Sequence, residues 1–174
     1  MLTIAEQLRT LIESARPRLL GITEKLASEK QFPDKWSVKE TVGHLIDSAA
    51  SNHQRIVRLQ LSADIGRLTY AQVEWVQAQH YQTEPWTQIV QFWYLYNMHL
   101  SHVIAHVNPE NLDHVCDMGY AEPAPLRFII EDYVRHTQHH LDQILTGADP
   151  GSRKQWVTRR PTDPSDQKVS HEGP

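Results

Sequence analysis

The chain is short of three things, and each shortage removes a class of explanation. It has a single cysteine, Cys116. An intrachain disulfide framework is therefore impossible, and a zinc site built on cysteines is excluded. No stretch approaches the roughly 20 apolar residues needed to span a bilayer, so no membrane partner is expected. Positive charge is not in excess either. Lys and Arg number 17 against 21 Asp and Glu, a net charge of −4 with histidines neutral. That balance argues against a nucleic-acid binder held by phosphate contacts. The chain does not open on a charged segment followed by an apolar run, so a cytoplasmic soluble protein is the expectation.

What is present is helical patterning. With 174 residues, 40% of them apolar, the chain suits one domain with a full core. Thr3 and Glu6 have capping-box spacing and open a helix expected over about Ile4 to Ala27, with a kink or break at Pro17. Ser37 and Glu40 form a second such pair, before a helix from Val38 to about Leu61. A shorter helix is expected from Tyr70 to Tyr81. A third long one starts at Glu84-Pro85-Trp86 and runs to about Val107. Asn108 to Pro125 reads as a long connection, punctuated by Pro109, Gly119, Pro123 and Pro125. The last long helix spans Leu126 to Leu145 and is stopped by Gly147. Strand signal is very weak. The expected fold is all-α, a four-helix bundle with a short extra helix and a longer crossover, over residues 1–148. From Asp149 to Pro174 the composition turns to Gly, Pro, Ser and charge. A poorly ordered tail is expected there, or one that docks through Trp156.

Eleven histidines are the compositional oddity. His136 and His140 stand four residues apart, about 40° apart on a helical wheel, beside the apolar arc of Leu126, Ile130, Val134, Leu141, Ile144 and Leu145. Two histidines so placed can grip one divalent ion. A zinc- or nickel-type site needs a third ligand. His44, beside Val38 and Leu45 on the second long helix, is the candidate; the alternative is a hydrogen-bonded histidine at the core edge. His102 and His106 have the same spacing, with His99 nearby. They fall opposite Val90, Trp93, Leu100, Ile104 and Val107, and so should face solvent. His53, His80, His114 and His171 read as structural or solvated, and His139 as a group that could support the pair.

Several other side chains are candidates for the surroundings of such a site. Asp47, one turn from His44, could orient a histidine N–H or accept a proton. Ser48, Ser51 and Arg55 share the His44 side of their helix, and Arg55 could bind an anionic substrate group. Asn97 lies in an apolar stripe, which is costly unless it is hydrogen-bonded, and it could face the site. Asp132 and Gln143 flank the histidine pair. Cys116 has no evident base beside it and reads as incidental.

Three segments, in order, resemble a known family. Lys35-Trp-Ser-Val-Lys-Glu-Thr-Val-Gly-His-Leu-Ile-Asp-Ser48 is similar to the helix-opening signature of the DinB/YfiT-like superfamily. Glu74 to Tyr81 and Trp93 to Leu100 resemble the middle of YfiT-type members. Asp132 to Ile144 resembles the C-terminal histidine motif. The resemblance implies an antiparallel four-helix bundle holding one divalent metal ion, zinc or nickel, through His44, His136 and His140. Three protein ligands leave coordination open, which marks a catalytic site. An ion held by neutral ligands lowers the pKa of a bound water or thiol. The family includes low-molecular-weight-thiol-dependent S-transferases and metal-dependent hydrolases. The expectation is therefore a thiol-dependent transferase with a low-molecular-weight thiol as cosubstrate. A hydrolase on the same site and a non-catalytic metal-binding stress-response protein are the alternatives. The expected partner is a small-molecule substrate, with a homodimer left open.

Overall fold

The computed structural model describes residues 1–146. The expectations for the segment from Asp149, including docking through Trp156, lie outside the described residues. The first helix, α1 (Leu2–Leu20), starts earlier than its sequence suggests. Its N-cap is Met1 and no side chain caps it, so Thr3 and Glu6 both lie inside the helix and the capping box does not form. Pro17 sits within the helix. It falls in the last turn, where its missing N–H forgoes the one bond to the Glu13 carbonyl without ending the helix. The break comes at Gly21 instead, and a separate short helix follows, α2 (Glu24–Ser28). Thr23 caps it, its hydroxyl accepting from the Leu26 N–H at 3.3 Å.

The second capping box does form. The Ser37 hydroxyl accepts from the Glu40 N–H at 3.2 Å, and the Glu40 carboxylate accepts from the Ser37 N–H at 2.8 Å. These bonds satisfy two of the open donors at a helix start and open α3 (Val38–Leu59). Two further long helices complete a four-helix bundle, α5 (Trp86–Ala105) and α6 (Leu126–Leu145). α1 packs on α5 and α6, and α3 packs on the same two. α1 and α3 therefore occupy opposite corners. Leu8, Ile12, Leu45, Ile56, Ile89, Trp93, Leu100, Ile104, Ile130 and Leu141 fill the centre. α3 is covered nearly all round, because further segments close over its second side. Its buried residues include Lys39, whose ammonium pairs with Glu24 and donates to the Gln82 carbonyl.

The expected helix at Tyr70–Tyr81 is shorter, α4 (Gln72–Ala78). His80 adopts a left-handed backbone, φ +52°, uncommon outside glycine. It turns the chain into a 3₁₀ turn, Tyr81–Thr83, that brings Tyr81 back against α3. The near absence of strand is also corrected. β1 (Asp64–Arg67) pairs in parallel with β2 (Val115–Asp117), and β2 pairs antiparallel with β3 (Ala124–Pro125). This small sheet ties the α3–α4 connection to the long crossover between α5 and α6. His114 and Asn111 from that crossover bond to the Leu59 and Gln60 carbonyls at the end of α3. No helix among the described residues is long and apolar enough to cross a membrane.

Candidate metal centre

His44 lies near the start of α3, and His136 and His140 lie near the end of α6. The two helices pack antiparallel, so these ends meet. The Nε2 atoms of His44 and His136 stand 3.1 Å apart. One nitrogen from each of the three rings falls within 4.8 Å of the others. Donors on one four-coordinate ion at M–N distances of 2.0–2.1 Å would be about 3.3 Å apart. The His44–His136 pair is already at that separation. His140 is partly exposed and needs only a small side-chain adjustment.

The protonation states suit a metal. Burial, reinforced by the neighbouring imidazoles, pushes His44 down to about 3 from its usual 6.5. Burial also pushes His136 and His140 down to about 4. At neutral pH all three rings are uncharged and each offers a lone pair. The tautomer of His140 is fixed from behind: its Nδ1–H donates to the Gln143 side-chain oxygen at 3.0 Å, which leaves Nε2 bare. The Gln143 amide in turn donates to His139 Nε2 at 2.8 Å. A hydrogen-bonded support of this kind orients a ligand and raises its basicity. Trp36 covers the other side of His44, ring centroids 5.0 Å apart. The set therefore fits one divalent ion.

The family follows from comparison with known proteins. The DinB superfamily model matches residues 7–144. The chain belongs to the DinB superfamily. No curated protein matches it. Among solved structures it is similar to YfiT from Bacillus subtilis, a probable metal-dependent hydrolase with an unusual four-helix bundle topology. The TM-score is 0.67 at 16% identity, over 82% of this chain and 83% of that one.

In this DinB chain the remaining candidates scatter. Asp47 is buried beside His44 in sequence but bonds to neither ligand helix. Its Oδ1 accepts from the Tyr81 hydroxyl at 2.8 Å and from the Gln79 amide at 2.5 Å. Its Oδ2 and the Nδ1 of His44 are both buried without a hydrogen-bond partner. Burial raises the Asp47 pKa against the lowering effect of its two donors. The expectation that Asp47 orients a histidine is thus corrected: its firm partners are Tyr81 and Gln79. Asn97 is corrected too. It is fully buried, with Oδ1 accepting from the Tyr133 hydroxyl and Nδ2 donating to the Trp93 carbonyl at 2.8 Å. Both polar groups are engaged inside the bundle. Asp132 pairs with Arg135, away from the histidines. Ser48 accepts from the Asn52 side-chain amide at 3.4 Å, and Arg55 lies further along the same side of α3. His102, His106 and His99 are exposed, as expected. A groove of about 710 Å³ runs between α1 and α6 on the opposite side of α6 and includes none of the three histidines.

Tyr81, Gln79 and Trp36 lie in segments that resemble the family, but their types and spacing point to no role here. Gly43 did carry a signal, because a glycine inside a helix marks a close approach when it is not a break. A Cβ at Gly43 would lie 2.2 Å from the Tyr81 ring. The missing side chain lets that ring lie against α3 and deliver its hydroxyl to Asp47.

Proposed function

We propose that this protein is a mononuclear metal-dependent enzyme that transfers a low-molecular-weight thiol to a small electrophile. The observation that carries the reading is the meeting of three neutral imidazoles from two helices, His44 buried and His136 and His140 partly so, with no fourth ligand in the cluster among the described residues. A divalent ion held there would keep its full charge and lower the pKa of a coordinated thiol or water. The chain's own contribution is to fix the rings: Gln143 sets His140, Trp36 walls in His44, and burial keeps all three unprotonated. Asp47, a buried carboxyl one turn from His44 and held by Tyr81 and Gln79, is the candidate proton acceptor.

A metal-dependent hydrolase is the second reading. It is favoured by the likeness to YfiT, which bears on fold, and by a buried carboxyl of raised pKa, the kind of group hydrolysis uses as a base. One experiment separates the two. Purified protein should carry close to one divalent ion and turn over an electrophile only when a thiol is added, in proportion to metal content. Turnover of an ester without thiol, inhibited by saturating thiol, would sink the transferase in favour of the hydrolase. Asp47→Asn should keep the ion and lower the rate by ~10²-fold.

A further inference from the structure

α3 carries a second polar group that the histidine cluster does not use. His44, Ser48, Ser51 and Arg55 follow at intervals of four, three and four residues, so they line one side of the helix. All four are buried. Arg55 is 4% exposed, yet every contact it makes is with an uncharged group. Its Nε and one terminal nitrogen donate to the Leu68 carbonyl at 3.2 and 2.8 Å, and the other terminal nitrogen donates to the Asn52 side-chain oxygen at 3.1 Å. The Cys116 thiol also lies against it, and burial pushes that thiol's pKa up, so it is neutral.

Among the described residues, no carboxylate lies within 4.0 Å of the guanidinium. The acids around this stretch of the chain have other partners. Asp117 accepts from the Gly119 N–H, Asp132 holds Arg135, and Asp47 holds Tyr81 and Gln79. A guanidinium stays charged in a protein, and a buried charge left without a counter-ion is costly. Surface arginines escape that cost in water; Arg55 does not. Two phenols stand close enough to feel its charge, Tyr70 and Tyr120. Tyr120 is 53% exposed, so the surface lies on that side of Arg55.

We propose that Arg55 receives the carboxylate of an elongated small molecule that lies along the polar side of α3 with its reacting end at the three histidines. The planar fork of arginine matches a carboxylate better than any other side chain does. Eleven residues of helix separate Arg55 from His44, about 16 Å along the axis, and the arginine side chain shortens the gap. The ligand class is therefore a polar, extended molecule with a carboxylate at one end. Under the transferase reading, on which the placement of the other end rests, that molecule is the thiol itself.

The test uses the zinc-loaded full chain and four synthetic probes. N-acetyl-cysteinyl-glycyl-glycine is compared with its C-terminal amide, and the same two molecules are made with serine in place of cysteine. Calorimetry should show each acid binding at least ~10-fold more tightly than its amide. In Arg55→Gln that ratio should fall to near one while the preference for cysteine over serine persists. A ratio near one in the unsubstituted protein, or a ratio unchanged in Arg55→Gln, overturns the assignment. Loss of the cysteine preference would overturn the thiol reading and leave Arg55 as a carboxylate receptor. Should Arg55→Gln fail to fold, the Arg55 Nε–H resonance of the unsubstituted protein decides. A shift with the acid and not the amide supports the proposal, and equal or absent shifts overturn it.

Discussion

Two histidine pairs share one spacing and have opposite surroundings. The rings of His136 and His140 on α6 have centroids 4.5 Å apart, and those of His102 and His106 on α5 have centroids 4.3 Å apart. As isolated helices the two would be equivalent chelators. The α6 pair faces α3, which supplies His44 and shuts out water. The α5 pair faces outward, and His106 bonds through Nδ1 to the carbonyl of His102 in its own helix. Spacing supplies two donors. The third donor, the dry surroundings and the fixed tautomer all come from what is packed alongside.

The largest effect should follow from removing that neighbour's contribution. His44→Ala should reduce divalent-ion affinity by ~10²-fold or more, since two imidazoles hold far less firmly than three. His102→Ala should leave metal content unchanged by elemental analysis. Equal losses in both variants would erase the distinction between the pairs. Acid should separate them next. The three clustered rings titrate at about 3 and about 4 in the fold against about 6.5 in an unfolded chain. Between those values the unfolded chain binds protons that the folded chain does not. Stability of the metal-free protein should therefore fall as pH drops from about 6.5 towards about 4, by on the order of a few kcal/mol. His44→Gln should flatten that slope in a series of thermal melts, and His102→Gln should not.

Smaller effects probe the support around the cluster. Gly43→Ala puts a methyl group into the Tyr81 ring and should cost about 1–3 kcal/mol in urea unfolding. It should also detach Tyr81 from Asp47, and a wild-type unfolding midpoint would show that the contact is slack. Gln143→Leu removes the acceptor that sets His140 and should weaken metal binding by ~10-fold. A competition titration with a chelator would measure it, and unchanged affinity would mean that His140 needs no such help.

The bundle and the three histidines were legible because their signals are local and repetitive. Leu126–Leu145 begins after Pro125 and carries its apolar stripe and its histidines on neighbouring faces, so its bounds and its chemistry could be read together. Ser37 and Glu40 announced α3 through backbone bonding alone. What escaped depends on distant partners. The strands are four, three and two residues long, too short for an alternating pattern, and β1 finds β2 some fifty residues away. Asn97 looked like a group facing a ligand because its partner, Tyr133, lies on another helix. Asp47 was legible as a neighbour of His44, but the residues that hold it arrive through the left-handed turn at His80. At α1, Pro17 was the more conspicuous breaker, yet Gly21 ends the helix.

The burial of α3 has a consequence for how the sequence can drift. Most of its 22 residues are buried, including Lys39, Asp47, Ser48, Ser51, Asn52 and Arg55. A typical bundle helix keeps an outer face on which mutations accumulate at little cost. Few positions of α3 offer that freedom, since one side is locked by the core and the other by a polar interior. α1 and α5 keep open outer faces. A library of random substitutions selected only for folding should therefore leave α3 close to its starting sequence while α1 and α5 diverge. The helix that carries His44 would look like a functional signature even in a population that had never been asked to bind a metal.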